Sequence, residues 1–279
     1  MTKKSLLFLG VGLLALLASG VSAQTYNSNS GGYNTGYGTV YGTFGLAMAT
    51  QNMYNSMQMN IQRNIMRAAM IKKWGRAAVE KAEREARSGS SAKTAAANAP
   101  KIEYTPPPEP KNYGTFRPDA TVNTAKVIAD ALGSTPEEKK LYITIVNSTK
   151  AAFEAQALKK GWSNNLAAAF TFFIVSNVTV YHNAEEPGDE AVDALFLAIS
   201  QSLDDVPEFG KMANRDKQSL YNTLIAFAGI PLATYVDGAS KKDAGTMEVA
   251  SKLSGEMLRL VLKIDPETIR FSNGALVVG

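Results

Sequence analysis

Residues 166–181 read LAAAFTFFIVSNVTVY. Leu166, Phe170, Phe173, Ile174, Asn177, Val178 and Tyr181 stand at i, +4, +7, +8, +11, +12 and +15, the recurrence of one face of an α-helix. Ala167, Ala168, Ala169 and Val175 make the other face apolar too, so the spacing predicts a helix at the centre of a core. Asn177 falls on the buried stripe and therefore needs a hydrogen-bond partner. Asn164 or Ser163 is the expected cap of this helix, and Gly161 the expected stop of the one before it.

The neighbouring segments repeat the helical period. Ser134-Thr135-Pro136-Glu137-Glu138 places a hydroxyl cap, then a proline in the first turn, then two acids near the positive end of the helix dipole. The helix opened there runs to about Lys160, with Tyr142, Ile145, Thr149, Ala152 and Phe153 inward. Val192, Leu195, Phe196, Ile199 and Leu203 mark another, and Leu220, Tyr221, Leu224, Ile225 and Ala228 the next, ended or kinked by Pro231. Ala250, Leu253, Met257, Leu260 and Val261 mark the last. Thr268–Val278 is expected to be an extended segment laid on the helices. Residues 112–279 are thus expected to be an all-α domain, a bundle of about six helices, preceded by a long N-terminal helix and a low-complexity segment.

That long helix is the reading of residues 44–87. Ala, Met, Gln, Arg, Lys and Glu dominate, and Gly75 is the single glycine between 46 and 88. Met57, Ile61, Ile65, Ala68, Ile71, Val79, Ala82 and Ala86 share a stripe, so one helix of about 60 Å is expected, with an interruption allowed at Gly75. Six of the ten methionines lie here, an adaptable face for partners; thioether sulfur is also a soft ligand for Cu(I), but helical spacing of this kind fits packing better than metal. Met57, Arg63, Met66, Arg67, Lys72, Lys73 and Trp74 are the candidate interaction residues; Trp74 beside two lysines also suits a membrane surface. The competing reading is a helix lying on its own domain or on a second copy. Residues 88–111 read as a Ser/Ala/Pro linker, stiffened by Thr105-Pro106-Pro107-Pro108-Glu109-Pro110. Residues 24–43 are a low-complexity Gly/Tyr/Asn segment. Residues 1–23 read as a signal peptide, with Lys3 and Lys4, an apolar run from Leu6 to Ala18, and Val21-Ser22-Ala23 for cleavage. The expected location is periplasmic or secreted.

Charge follows the same division. Residues 24–100 hold nine Lys/Arg against three Asp/Glu, and residues 101–279 hold 18 against 22. The basic pI belongs to the arm and gives no reason to expect nucleic acid as partner. The chain has no cysteine and one histidine, which removes thiolate chemistry and confines any His-based site to His182. Neither cofactor nor metal is implied: P-loop, dinucleotide, HExxH and nucleophile-elbow patterns do not occur. The densest acids are Glu185, Glu186, Asp189, Glu190, Asp193, Asp204, Asp205 and Glu208, which fit helix caps and solvated faces better than calcium or acid–base work.

Phe116, Pro118, Gly161-Trp162, Asn164-Asn165, Ala167, Tyr181, Lys217-Gln218, Leu220, Ile264-Asp265-Pro266 and Gly274 give residues 112–279 a resemblance to a family of exported bacterial proteins known as a domain of unknown function. Asn165 departs from it, standing where the resemblance implies an acid. The resemblance implies an exported helical domain and no activity. The function expected is a non-enzymatic, envelope-associated interaction or structural module that docks or self-associates through the arm. The alternatives are an envelope-polymer hydrolase using the carboxylates of 185–208 with His182, and a membrane-surface protein binding through 61–87.

Overall fold

A computed structural model of the chain describes residues 40–42, 44–88, 102–106, 108–272 and 275–278. The expected signal peptide, nearly all of the low-complexity segment and residues 89–101 of the linker lie outside the described residues. Among the described residues there are nine helices: α1 (Phe44–Trp74), α2 (Arg76–Arg87), α3 (Thr124–Leu132), α4 (Pro136–Lys160), α5 (Leu166–His182), α6 (Asp189–Asp205), α7 (Pro207–Lys211), α8 (Asn214–Lys241) and α9 (Ala244–Leu262). The fold is the expected all-α bundle.

Helix α5 is the axis of the bundle. Every residue from Leu166 to Val180 is buried, and α6, α8 and α9 pack around it. The apolar run on all faces has its physical reason there, since each face meets another helix. Helix α4 lies on the far side of α8 and carries α3. It opens with the expected cap: Thr135 accepts from the Glu138 amide and Glu138 reaches back to the Thr135 amide, a closed capping box. It stops at Gly161, whose φ of 71° is left-handed. Gly229 lets α8 approach α4 closely, because a Cβ there would fall 2.4 Å from the Thr149 hydroxyl.

Two local expectations are corrected, the cap of α5 and an end of α8 at Pro231. The cap of α5 is Asn165, whose side chain accepts from the Ala167 amide at 2.8 Å. Asn164 takes φ 52° and turns the chain instead, and its carbonyl accepts from the Phe116 amide. Pro231 does not end α8, which continues ten residues further. The tail forms an antiparallel hairpin, β1 (Ile269–Ser272) with β2 (Ala275–Val278), packed on α5 and α6 through buried Ile269 and Leu276. Helix α8 is long and apolar enough to cross a membrane by composition, but 78% of that window is buried inside the bundle, as befits a core helix.

Candidate docking surface

Helix α1 has two different halves. Residues 44–62 carry no charge at all. Ala49, Met53, Tyr54 and Met57 are buried where α1 lies on α6 and α9 and belong to the main core. A polar ladder fixes the register: Thr50 Oγ1 donates to the Val261 carbonyl at 2.9 Å, Ser56 Oγ to Asp205 at 2.6 Å, Asn60 Nδ2 to Ser202 at 2.9 Å, and Asn64 Nδ2 to Gln201 at 3.0 Å. Contacts at 56, 60 and 64 meet 205, 202 and 201 in turn, so α1 runs antiparallel to α6.

Beyond Asn64 the named partners of α1 come from α2. Gly75, with φ 85° and ψ 153°, breaks the helix in a conformation open to glycine and strained for other residues. The chain folds back there, so a single helix of about 60 Å is not formed; α1 alone spans about 46 Å. Arg67 grips Glu83 with two hydrogen bonds, Nε at 2.7 Å and Nη2 at 3.2 Å, and lies 3.8 Å from Glu80. Tyr104 donates to the same Glu83 carboxylate, and Arg87 pairs with Glu109 at 2.9 Å, so Tyr104 and Glu109 strap their segment to the hairpin. Glu83 is only 3% exposed. Burial alone pulls its carboxyl upward, but the hydrogen bonds from Arg67 and Tyr104 and the charges of Arg67 and Arg87 outweigh that and hold it below the usual carboxylate range.

The seven candidate residues separate accordingly. Met57 is 0% exposed and fills the core, so it is a packing residue and not a docking one; the buried stripe of α1 is Ala49, Met53, Met57 and Asn60, and Ile65 and Ala68 face outward. Arg63 donates to the Asn60 amide oxygen, and Arg67 is the hairpin clasp. Met66, Lys72 and Lys73 are exposed, and Lys73 Nζ sits 4.3 Å over the half-buried Trp74 ring. Ile65 (57%) and Met66 (47%) add an exposed apolar step about two turns back along α1. From Phe44 to Val79 there are five basic residues and no acid. The surface the structure assembles is therefore Ile65, Met66, Lys72, Lys73, Trp74 and Arg76.

The acids of 185–208 do not converge. Lys160 Nζ holds Asp193 at 2.6 Å and Asp189 at 3.2 Å; burial depresses this lysine, but the two carboxylates outweigh it and raise its pKa. Asp204 accepts the backbone amides of Lys111, Asn112 and Tyr113, and Asp205 accepts from Ser56 and Asn60. His182 Nε2 lies 2.8 Å from the Ile269 carbonyl, to which it donates, and so ties α5 to β1. Among the described residues no three of His, Asp and Glu gather as a metal site would need. Asp189 and Asp193 thus anchor the end of α4, Asp204 the segment at 111–113 and Asp205 the helix α1, roles that their clustering in the sequence did not reveal.

A family model described as a family of unknown function, DUF6683, matches residues 2–279. Its reach is wider than the 112–279 suggested by the resemblance and takes in the arm, in keeping with an α1 that is half core. No curated protein and no solved structure matches.

Proposed function

We propose, for a chain that belongs to this family of unknown function and inherits no activity from it, a non-enzymatic role: an exported, envelope-associated interaction module whose working end is the α1–α2 hairpin. The observation that carries the reading is the hairpin tip. Lys72, Lys73 and Arg76 are exposed there, Ile65 and Met66 are exposed about two turns back along α1, and the first acid of the arm, Glu80, lies 3.8 Å from Arg67. An apolar step on the same helix as a cluster of cations suits a surface that is anionic outside and apolar beneath. The leader-like Met1–Ala23 supports export, to the periplasm or beyond.

The test is co-sedimentation of residues 24–279 with isolated envelope at low and high salt, for the natural sequence and for Lys72→Gln/Lys73→Gln/Arg76→Gln. At about 1 kcal/mol per basic residue near an anionic surface, the triple variant loses affinity on the order of a hundredfold, and salt releases the natural chain. Binding that neither salt nor the triple variant changes would sink the reading.

A further inference from the structure

A cleft of about 420 Å³ opens between α4, α8 and the segment around Phe116, away from the hairpin, none of whose residues lines it. Ligand pockets span roughly 300–1,000 Å³, so it has room for one small molecule or one unit of a polymer. On its α8 side stand Tyr221 and Asn222, 1% and 5% exposed. The Tyr221 hydroxyl and the Asn222 amide oxygen are both buried without a hydrogen-bond partner among the protein groups. Eleven buried side-chain polar atoms lack a protein partner among the described residues, and these two stand on consecutive residues beside one cleft, where a ligand could supply what buried polar atoms ordinarily have. The Asn222 nitrogen is already committed to Thr124. Gln218, next to them, exchanges two hydrogen bonds with the Asp119 backbone and is satisfied.

The chemistry of the walls narrows what could fill it. Asn222 Oδ1 can only accept, so it calls for an O–H or N–H. Tyr221 stays a neutral phenol, because burial, and secondarily the charge of Glu154, raises its pKa; its hydroxyl can donate or accept. At the mouth Lys150 and Glu154 pair at 3.7 Å, so the rim carries one charge of each sign and selects neither an anion nor a cation. Phe116, Pro118 and Leu158 supply an apolar wall, with the Phe116 ring edge-on to Tyr221 at 5.1 Å. Hydroxyl donors on a neutral body with a C–H face describe a sugar ring. We propose that this cleft binds a neutral saccharide unit, with Tyr221 and Asn222 at its floor and the Lys150–Glu154 pair at its rim. The floor atoms lie within the protein surface, so the group reaching them is small: a ring hydroxyl, or one water that such a hydroxyl anchors.

The test is calorimetric titration of residues 24–279 with N-acetylglucosamine and with its β-1,4-linked tetramer. The proposal expects saturable binding at about 1 mM or tighter. Tyr221→Phe removes only the orphaned hydroxyl, so it should leave the melting temperature unchanged or raised while weakening binding about tenfold. Glu154→Gln, at the exposed rim, should weaken binding without touching the core. Equal affinity for monomer and tetramer identifies a free sugar as ligand; a preference for the tetramer identifies a glycan strand. Absence of binding at several times that concentration, or binding that neither variant weakens, overturns the proposal and leaves the cleft holding water. The hairpin variants do not enter this experiment, so its failure and theirs are separate.

Discussion

Asn177 Nδ2 lies 3.4 Å from the Phe227 carbonyl oxygen, the one that Pro231, lacking an N–H four residues on, cannot satisfy. The same amide donates to the Phe173 carbonyl of its own helix at 2.8 Å. A polar residue in the middle of α5 thus compensates a defect in the middle of α8, at the closest-packed part of the bundle. Asn177→Leu removes both of these hydrogen bonds and should cost about 1–2 kcal/mol. In a Pro231→Ala background the restored backbone N–H takes over the carbonyl, and the cost of Asn177→Leu should shrink by about 1 kcal/mol. Urea unfolding of the four-member cycle measures this. Additive effects would show that Asn177 does not serve that carbonyl.

The pairing also shows how α8 runs on past Pro231, where the sequence predicts an end or a kink. From the sequence a proline removes a hydrogen bond and a helix stops; what supplies the replacement sits fifty residues away in another helix and leaves no local trace. The features that read correctly were local. Thr135 with Glu138 is a cap wherever it folds, and Gly161 a stop. The shift of the α5 cap from Asn164 to Asn165 turned on which of two neighbouring asparagines took the left-handed backbone. The cleft was invisible for the same reason as the Asn177 contact: Tyr221 and Asn222 lie in a run that reads as core, and only Gln218 and Asn222 in that run hinted at polar neighbours.

Met57 and Met66 both stand among the candidate interaction residues, though only Met57 lies on the apolar stripe, and they are opposites in the fold. Met57→Ala should cost about 2–5 kcal/mol, because it empties a fully buried site in the main core. Met66→Ala, on an exposed face, should stay within about 0.5 kcal/mol. Denaturant midpoints of the two variants decide this. Residues 112–279 prepared alone should show weak near-ultraviolet circular dichroism and bind hydrophobic dye, since removing α1 uncovers the faces of α6 and α9. A native-like spectrum from that fragment would mean that α1 is dispensable to the core.

The Arg67–Glu83–Tyr104 cluster makes the hairpin acid-sensitive in a definite direction. Glu83 has a folded pKa below its unfolded value. Its contribution is therefore complete above the ordinary carboxylate value of about 4.3 and is lost as pH falls through the lower folded value. Hydrogen exchange of α2 amides, read against those of α5, should show selective loss of protection below about pH 4. Glu83→Gln should lower α2 protection at neutral pH and flatten its pH dependence. An identical acid profile in natural chain and variant would place the titrating group elsewhere.

Gly75 decides whether the arm is a hairpin or a rod. The apolar stripe passes from Ile71 to Val79 without a break, so the pattern alone favours a rod, and only the backbone at φ 85° opposes it. Nothing lies within 4 Å of where a Cβ would stand, so Gly75→Ala meets no steric neighbour and acts through backbone strain alone, about 1–3 kcal/mol. The Arg67–Glu83 clasp resists that strain. The chain has no cysteine, so spin labels at cysteines introduced in place of Met66 and Arg84, both exposed, report the geometry directly. A continuous helix sets them about 27 Å apart, and the hairpin brings them closer. The natural chain should give the short distance alone. Gly75→Ala should add a population near the longer one, and Gly75→Ala with Arg67→Gln should shift most of the chains to it. A short distance unchanged in both variants would show that the strap at Tyr104 and Glu109, and not the glycine or the clasp, holds the hairpin shut.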